Sequence, residues 1–213
     1  MDTVATTDFH HIYEPGFDAA RPPLLLLHGT GGDERDLLGL GQTVAPGASL
    51  LSPRGQVLEG AMPRFFRRLA EGVFDEDDLR RRTHDLADFV EQARERYGIA
   101  APVAIGFSNG ANIAASLLLL RPEVLAGAAL LRAMSPFAEP PQVLKKPPQA
   151  DLVGKRVLML SGAIDPIIPE ENAKRLARTL SAAGASVDHR VLPAGHGLSQ
   201  ADIGLLKGWL LDA

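Results

Sequence analysis

Gly106-Phe107-Ser108-Asn109-Gly110 is the segment of this sequence best built for covalent chemistry. A serine hydroxyl is a weak nucleophile until a base takes its proton. Set on a tight turn between strand and helix, with glycine two positions away on either side, it is lifted clear of the backbone and aimed at the helix N-terminus. The neighbours have the required character: apolar Val103-Ala104-Ile105 precedes it, and helix-forming Ala111 to Leu120 follows. Ser108 is the candidate nucleophile. The competing reading, a serine that only caps a helix where a strand ends, leaves the motifs elsewhere in the chain unexplained.

The base must be held by an acid that fixes its tautomer. Gly162-Ala163-Ile164-Asp165-Pro166 and Pro193-Ala194-Gly195-His196-Gly197 each follow a short run of strand character, at Arg156 to Ser161 and Val187 to Leu192. In a parallel sheet the loops at the carboxyl ends of the strands share one rim, where such sheets place ligands. Ser108, His196 and Asp165 are therefore expected to meet as nucleophile, base and orienting acid. Asp188 lies inside a strand, Asp151 precedes one at the opposite rim, and Asp202 sits in the closing helix. His10, His11, His84 and His189 fall within predicted strands or a polar helix face. All are read as ordinary polar or packed residues.

Two further segments bear on a substrate. His28-Gly29-Thr30-Gly31-Gly32 follows the first buried strand, and its glycines let the backbone come close to a bound carbonyl. Backbone N–H groups of Thr30 and Asn109 are the candidate donors to a developing oxyanion, worth about 3–4 kcal/mol each in related chemistry. A dinucleotide loop would need glycine at Glu34, and no G-x-x-x-x-G-K-[ST] is present. His28 reads as a brace within its loop. Residues 56–76 mix aromatics and arginines without a clean period, and suggest either a lid over the site or a surface helix with a buried aromatic pair and solvated arginines. Phe65 and Phe66 are candidates to wall an apolar pocket, while Ile167 and Ile168, next to Asp165, are candidates to line the acyl side, with Met134 approaching it. Arg64, Arg67 or Arg68 could attract an acidic group.

Short strand-like runs alternate with longer helical stretches, which predicts an α/β fold with a mostly parallel sheet covered by helices on both faces. Strands are expected at Phe9 to Tyr13 (an edge), Leu24 to His28, Ser49 to Ser52, Pro102 to Phe107 and Ala126 to Leu131, besides the two already named. Helices are expected at Asp33 to Val44, Asn109 to Leu120, Glu170 to Ala183 and 199–211. The clearest helix carries Leu79, Thr83, Leu86, Val90, Ala93 and Tyr97 on one face, with Asp77 and Asp78 in its first turn and Gly98 to stop it. Residues 135–150 are rich in proline and read as a surface excursion.

With 213 residues, of which 46% are hydrophobic, the chain can bury one core, and residues 1–213 are read as a single domain. A net charge of -4 disfavours nucleic acid or an anionic membrane as partner. The absence of cysteine excludes disulfides, thiolate metal sites and a cysteine nucleophile. No metal site is expected. The first residues lack the apolar run of a signal peptide, and Ile113 to Leu120 is too short to span a bilayer, so a cytoplasmic protein is expected.

Taken in order, several segments resemble the phospholipase/carboxylesterase family, which also holds the acyl-protein thioesterases. They are Leu27-His28-Gly29-Thr30-Gly31-Gly32, Ser52-Pro53-Arg54-Gly55, Gly106 to Ala111, Ser161 to Pro169, and Gly195-His196. The resemblance implies an α/β-hydrolase fold with no large cap domain, no cofactor, a homodimer, and hydrolysis of carboxylic esters or thioesters. It implies the same triad of Ser108, Asp165 and His196 and the same oxyanion donors. The thioesterases typically show Gly-Phe-Ser-Gln-Gly-Gly and a Leu-Gly-Asp loop, whereas this chain has Asn109-Gly110-Ala111 and Thr30-Gly31-Gly32. Those variants resemble the bacterial carboxylesterase branch and favour a small soluble ester as substrate. The alternatives are an acyl thioesterase or lysophospholipase, and a small-molecule receptor of the same fold with little turnover. A dienelactone-type hydrolase is disfavoured by the lack of cysteine.

Overall fold

A computed structural model describes residues 9–139 and 152–211. Its centre is a seven-stranded sheet. In chain order the strands are β1 (His11–Glu14), β2 (Leu24–Leu27), β3 (Leu50–Pro53), β8 (Val103–Phe107), β9 (Gly127–Leu131), β10 (Arg156–Gly162) and β11 (Ser186–Leu192). Across the sheet they run β1-β3-β2-β8-β9-β10-β11. Only β1 pairs antiparallel, at the edge that the sequence predicted.

The period-two alternation of the central strands divides the core into two layers. Leu25, Leu27, Ala104, Ala128, Leu130, Val157 and Met159 face one layer, which α2 (Glu76–Tyr97), α3 (Asn109–Leu120) and α4 (Glu170–Ala182) cover. Leu24, Leu26, Val103, Ile105, Ala129, Leu131, Leu158 and Leu160 face the other, covered by α1 (Leu38–Val44) and α5 (Gln200–Leu211). Both faces are thus buried, which is why these strands read as unbroken apolar runs. Helix α3 lies directly behind Ser108, and its residues from Asn109 to Leu119 are all buried.

Helix α2 matches its sequence signals closely. The Asp75 carboxylate accepts the N–H of Asp78, Leu79, Thr83, Leu86, Val90 and Ala93 are buried, and Gly98 closes the helix at φ 65°. Helix α1 starts five residues later than Asp33, at Leu38. The Asp33 carboxylate instead accepts the N–H of Arg35, forming a local turn that competes with the helix.

Residues 56–76 form two hairpins, β4 (Val57–Glu59) with β5 (Met62–Arg64), and β6 (Arg68–Ala70) with β7 (Val73–Phe74). These small insertions, placed between β3 and α2, take the place of a cap domain. Most of the proline-rich 135–150 segment, and Asp151, lie outside the described residues. No helix among the described residues is long and apolar enough to cross a membrane.

Candidate active site

The elbow around Ser108 is a product of close packing. Ser108 has φ 52° and ψ -112°, one of two described non-glycine residues at positive φ. A Cβ at Gly106 would lie 2.5 Å from the Gly110 carbonyl oxygen, and one at Gly110 would lie 1.9 Å from that of Leu27. Only glycine lets β8 turn into α3 this tightly against β2. The strained conformation is held by the Ser108 N–H donating to Leu131 O at 2.9 Å and by Ser108 O accepting from Asn112 N–H at 3.0 Å.

The expected acid and base arrive from the carboxyl ends of β10 and β11. His196 Nε2 lies 2.9 Å from Ser108 Oγ, and His196 Nδ1 lies 2.8 Å from Asp165 Oδ2. The other oxygen of Asp165 accepts two backbone N–H groups, Ile167 at 2.8 Å and Ile168 at 3.1 Å. The Asp165 side chain is 1% exposed, that of His196 20%. With Asp165 accepting at both oxygens, Nδ1 donates and Nε2 is free to accept from the serine hydroxyl. The Phe107 ring packs on the imidazole, with centroids 5.5 Å apart.

The loop after β2 is braced from three sides. Burial pushes the His28 imidazole below its ordinary value, so the ring is neutral. Its Nδ1–H donates to Gly29 O at 2.6 Å, and its Nε2 accepts the N–H of Gly55 at 3.0 Å. His28 is therefore a brace, as its loop position suggested. Arg54 donates to both oxygens of buried Glu34, at 2.5 and 2.8 Å. Those hydrogen bonds hold the Glu34 carboxyl down at about 2 against the opposing effect of burial. Buried Arg64 donates to Thr30 Oγ1 at 2.7 Å. The side chain of Asn109 accepts the N–H of Phe65 at 2.8 Å, tying the start of α3 to the hairpins.

A cleft of about 350 Å³ opens above Ser108. Thr30, Asn109 and His196 line it, as do Met134 and Ile167 from the predicted substrate set. Phe65 and Phe66 do not, and the expectation that they wall the pocket is corrected. Both are core residues, 2% and 0% exposed, because Phe65 packs on His28 and Phe66 meets Phe74 edge-on. The hairpins reach the cleft through Met62, Arg64, Arg68, Glu71, Gly72 and Phe74 instead. Of the three candidate arginines, Arg67 points away and pairs with Asp75. Arg68 lines the cleft but is bonded to Glu59.

Sequence reasoning also missed Arg132 and Asp202. Arg132 is a fully buried side chain just past the end of β9, and it pairs with Asp202 in the first turn of α5. The only signal was a charged residue following an apolar strand without an intervening loop.

The parallel sheet, the serine on its strained elbow, and the hydrogen-bonded histidine and aspartate define the α/β-hydrolase fold with a serine-histidine-aspartate site. The family model described as alpha/beta hydrolase fold matches residues 35–152. The protein MhqD of Bacillus subtilis (strain 168) is 44% identical over 205 residues, covering 95% of this chain and 98% of that one. Among solved structures, a Bacillus cereus carboxylesterase is 44% identical with a TM-score of 0.88, covering 94% of this chain and 92% of that chain. A carboxylesterase from Mesorhizobium loti is 34% identical with a TM-score of 0.82, covering 91% and 90%. The chain belongs to the α/β-hydrolase family, in its phospholipase/carboxylesterase branch, and is a hydrolase.

Proposed function

We propose that this hydrolase is a serine carboxylesterase acting on small soluble esters through an acyl-enzyme. The observation that carries the reading is the unbroken hydrogen-bond chain from Ser108 Oγ through His196 to Asp165, at the floor of an open cleft. His196 Nε2 takes the serine proton as Oγ attacks the ester carbonyl, and the imidazolium formed is stabilised by Asp165. The N–H groups of Thr30 and Asn109 receive the oxyanion. In support, both residues line the cleft beside Ser108, and Asn109 is the first residue of α3, where backbone N–H groups have no partner within the helix. His196 then protonates the leaving alcohol, and water, deprotonated by the same imidazole, releases the acid.

The preference for small substrates follows from the size and walls of the cleft. About 350 Å³ is near the lower end of ligand-site volumes, roughly 300–1,000 Å³. Met62, Phe74, Phe107, Met134, Ile167 and Ile168 give it apolar walls suited to a short acyl or aryl group. The carboxylesterase relatives from Bacillus cereus and Mesorhizobium loti support the same chemistry.

The test is hydrolysis of p-nitrophenyl esters from acetate to palmitate, with Ser108→Ala as control. Highest kcat/KM at short chains, lost in the variant, is the expected result. A maximum at long chains, or faster cleavage of thioesters than of oxygen esters with the same acyl group, would replace it with a lipid or thioester activity. A folded protein that hydrolyses none of them, yet gains thermal stability with a small ligand, would point to a receptor.

A further inference from the structure

The loop from Pro193 to Ser199 that carries His196 has glycine on both sides of the histidine. Its first part packs on Gly162, where an added Cβ would lie 2.5 Å from Gly195 O, but the space at each glycine's own Cβ position is open. A Cβ at Gly197 would meet nothing within 4 Å, and one at Gly195 only the Ile164 carbonyl oxygen, at 3.9 Å. Such a backbone has wide conformational freedom, whereas proton transfer requires Nε2 to stay in line with Ser108 Oγ.

Arg132 restrains the loop on both sides of the histidine. Its side chain is 0% exposed and that of Asp202 1%. Nε donates to Gly195 O at 2.9 Å, and Nη2 donates to Gly197 O at 3.0 Å. Nη1 donates to Leu160 O at 3.1 Å, on β10. The remaining two N–H groups go to the Asp202 carboxylate, at 2.7 and 2.9 Å. All five donors of the guanidinium are used. Asp202 in turn accepts the N–H and hydroxyl of Ser199, each at 2.7 Å, which anchors the far end of the loop to α5. Arg132 itself stands at φ 58°, with its N–H donating to Leu160 O at 2.9 Å.

We propose that Arg132, neutralised by Asp202, is a positioning residue for His196, clamping the carbonyls on both sides of the histidine so that its ring keeps the orientation needed for proton transfer. A pair kept only for stability would have no need to spend two of its donors on those particular carbonyls. Replacement of a buried ion pair by apolar side chains of similar volume is often neutral for stability. That separates the two roles.

The proposal rests on His196 as base, so His196→Ala is the control: if that variant keeps full activity, the triad reading fails independently of the clamp. The test compares the double variant Arg132→Met/Asp202→Leu, and the single variant Arg132→Lys, with the unaltered protein. The expected result is a folded protein with KM within about threefold, kcat lowered by about 100-fold, as expected for misplacement by about 1 Å, and a broadened downfield proton signal from His196 Nδ1–H. Arg132→Lys keeps the charge opposite Asp202 but cannot reproduce a five-donor planar fork, and decides the matter if the double variant does not fold. Folded variants with kcat within about twofold of the unaltered protein and a sharp Nδ1–H signal would overturn the proposal.

Discussion

Asp165→Asn changes one atom in the site, and the structure fixes how the asparagine must orient. Asp165 Oδ1 accepts the N–H groups of Ile167 and Ile168, and Oδ2 accepts from His196 Nδ1. If the amide nitrogen faced the two N–H groups, both would lose their acceptor, Ile167 at an exposed position and Ile168 at a buried one. For the Ile168 N–H that costs roughly 1–3 kcal/mol. The oxygen therefore stays with the backbone, and the NH₂ faces His196. Nδ1 must then accept, the ring proton moves to Nε2, and Nε2 presents a donor to Ser108 Oγ where an acceptor is needed. The same exchange in the serine-protease triad lowers kcat by about 10⁴, equivalent to about 5 kcal/mol in the barrier. The expected outcome is a kcat for p-nitrophenyl acetate reduced by about 10⁴-fold at pH 7, with a thermal midpoint within a few degrees of the unaltered protein. A folded variant within tenfold of normal kcat would refute the reasoning, and so would a thermal midpoint that collapses.

Three further outcomes follow from the packing and charge around the site. Gly110→Ala places a Cβ 1.9 Å from the Leu27 carbonyl oxygen and 2.6 Å from that of His28; overpacking of about 1–3 kcal/mol should lower the thermal midpoint by roughly 2–12 °C and cut activity, as scanning calorimetry and an ester assay would show. Stability should fall with acid in two stages, read from urea midpoints against pH. Burial holds His28 neutral in the folded state, so the unfolded chain takes up its proton first as pH drops below about 6.5. The second stage belongs to Glu34, whose Arg54-bonded carboxyl contributes stability above its ordinary value near 4.5 and loses it as pH falls toward about 2. Asp202 adds to that stage: burial works against its charge, but bonds from Arg132 and Ser199 outweigh it and hold the group below the usual carboxylate range. Glu34→Gln should narrow the acid-side difference. Finally, Phe74→Ala should deepen the cleft between Phe66 and Met134 and shift kcat/KM toward longer acyl chains by about tenfold, with an unchanged chain-length profile counting against the assigned wall.

How far these features were legible depended on whether a local rule controlled them. The elbow and helix α2 with its Gly98 stop are set by steric and capping constraints within a few residues, and sequence carries those directly. The meeting of Ser108, Asp165 and His196 follows from loops at the carboxyl ends of parallel strands sharing one rim. The hairpins at 57–74 were not legible, since strands of two or three residues are too short to express a period. For the same reason Phe65 and Phe66 looked like surface candidates for a pocket, although they turn inward against His28 and Phe74. The late start of α1 reflects the Asp33 side chain capturing a backbone N–H, a competition that helical periodicity does not register. Arg132 and Asp202 lie 70 positions apart, and only the fold brings them under the His196 loop. Nothing near Asp202 in sequence distinguishes it from an ordinary helix residue, because its partner is remote.

The claim that Ser108 is acylated during turnover is tested most directly by rapid acid quench with p-nitrophenyl acetate, followed by mass spectrometry of the digested protein. The expected result is an acetyl group on the peptide containing Ser108, absent in Ser108→Ala. An acetyl group at a different residue, or turnover that leaves Ser108 unmodified at every quench time while the variant stays active, would contradict it.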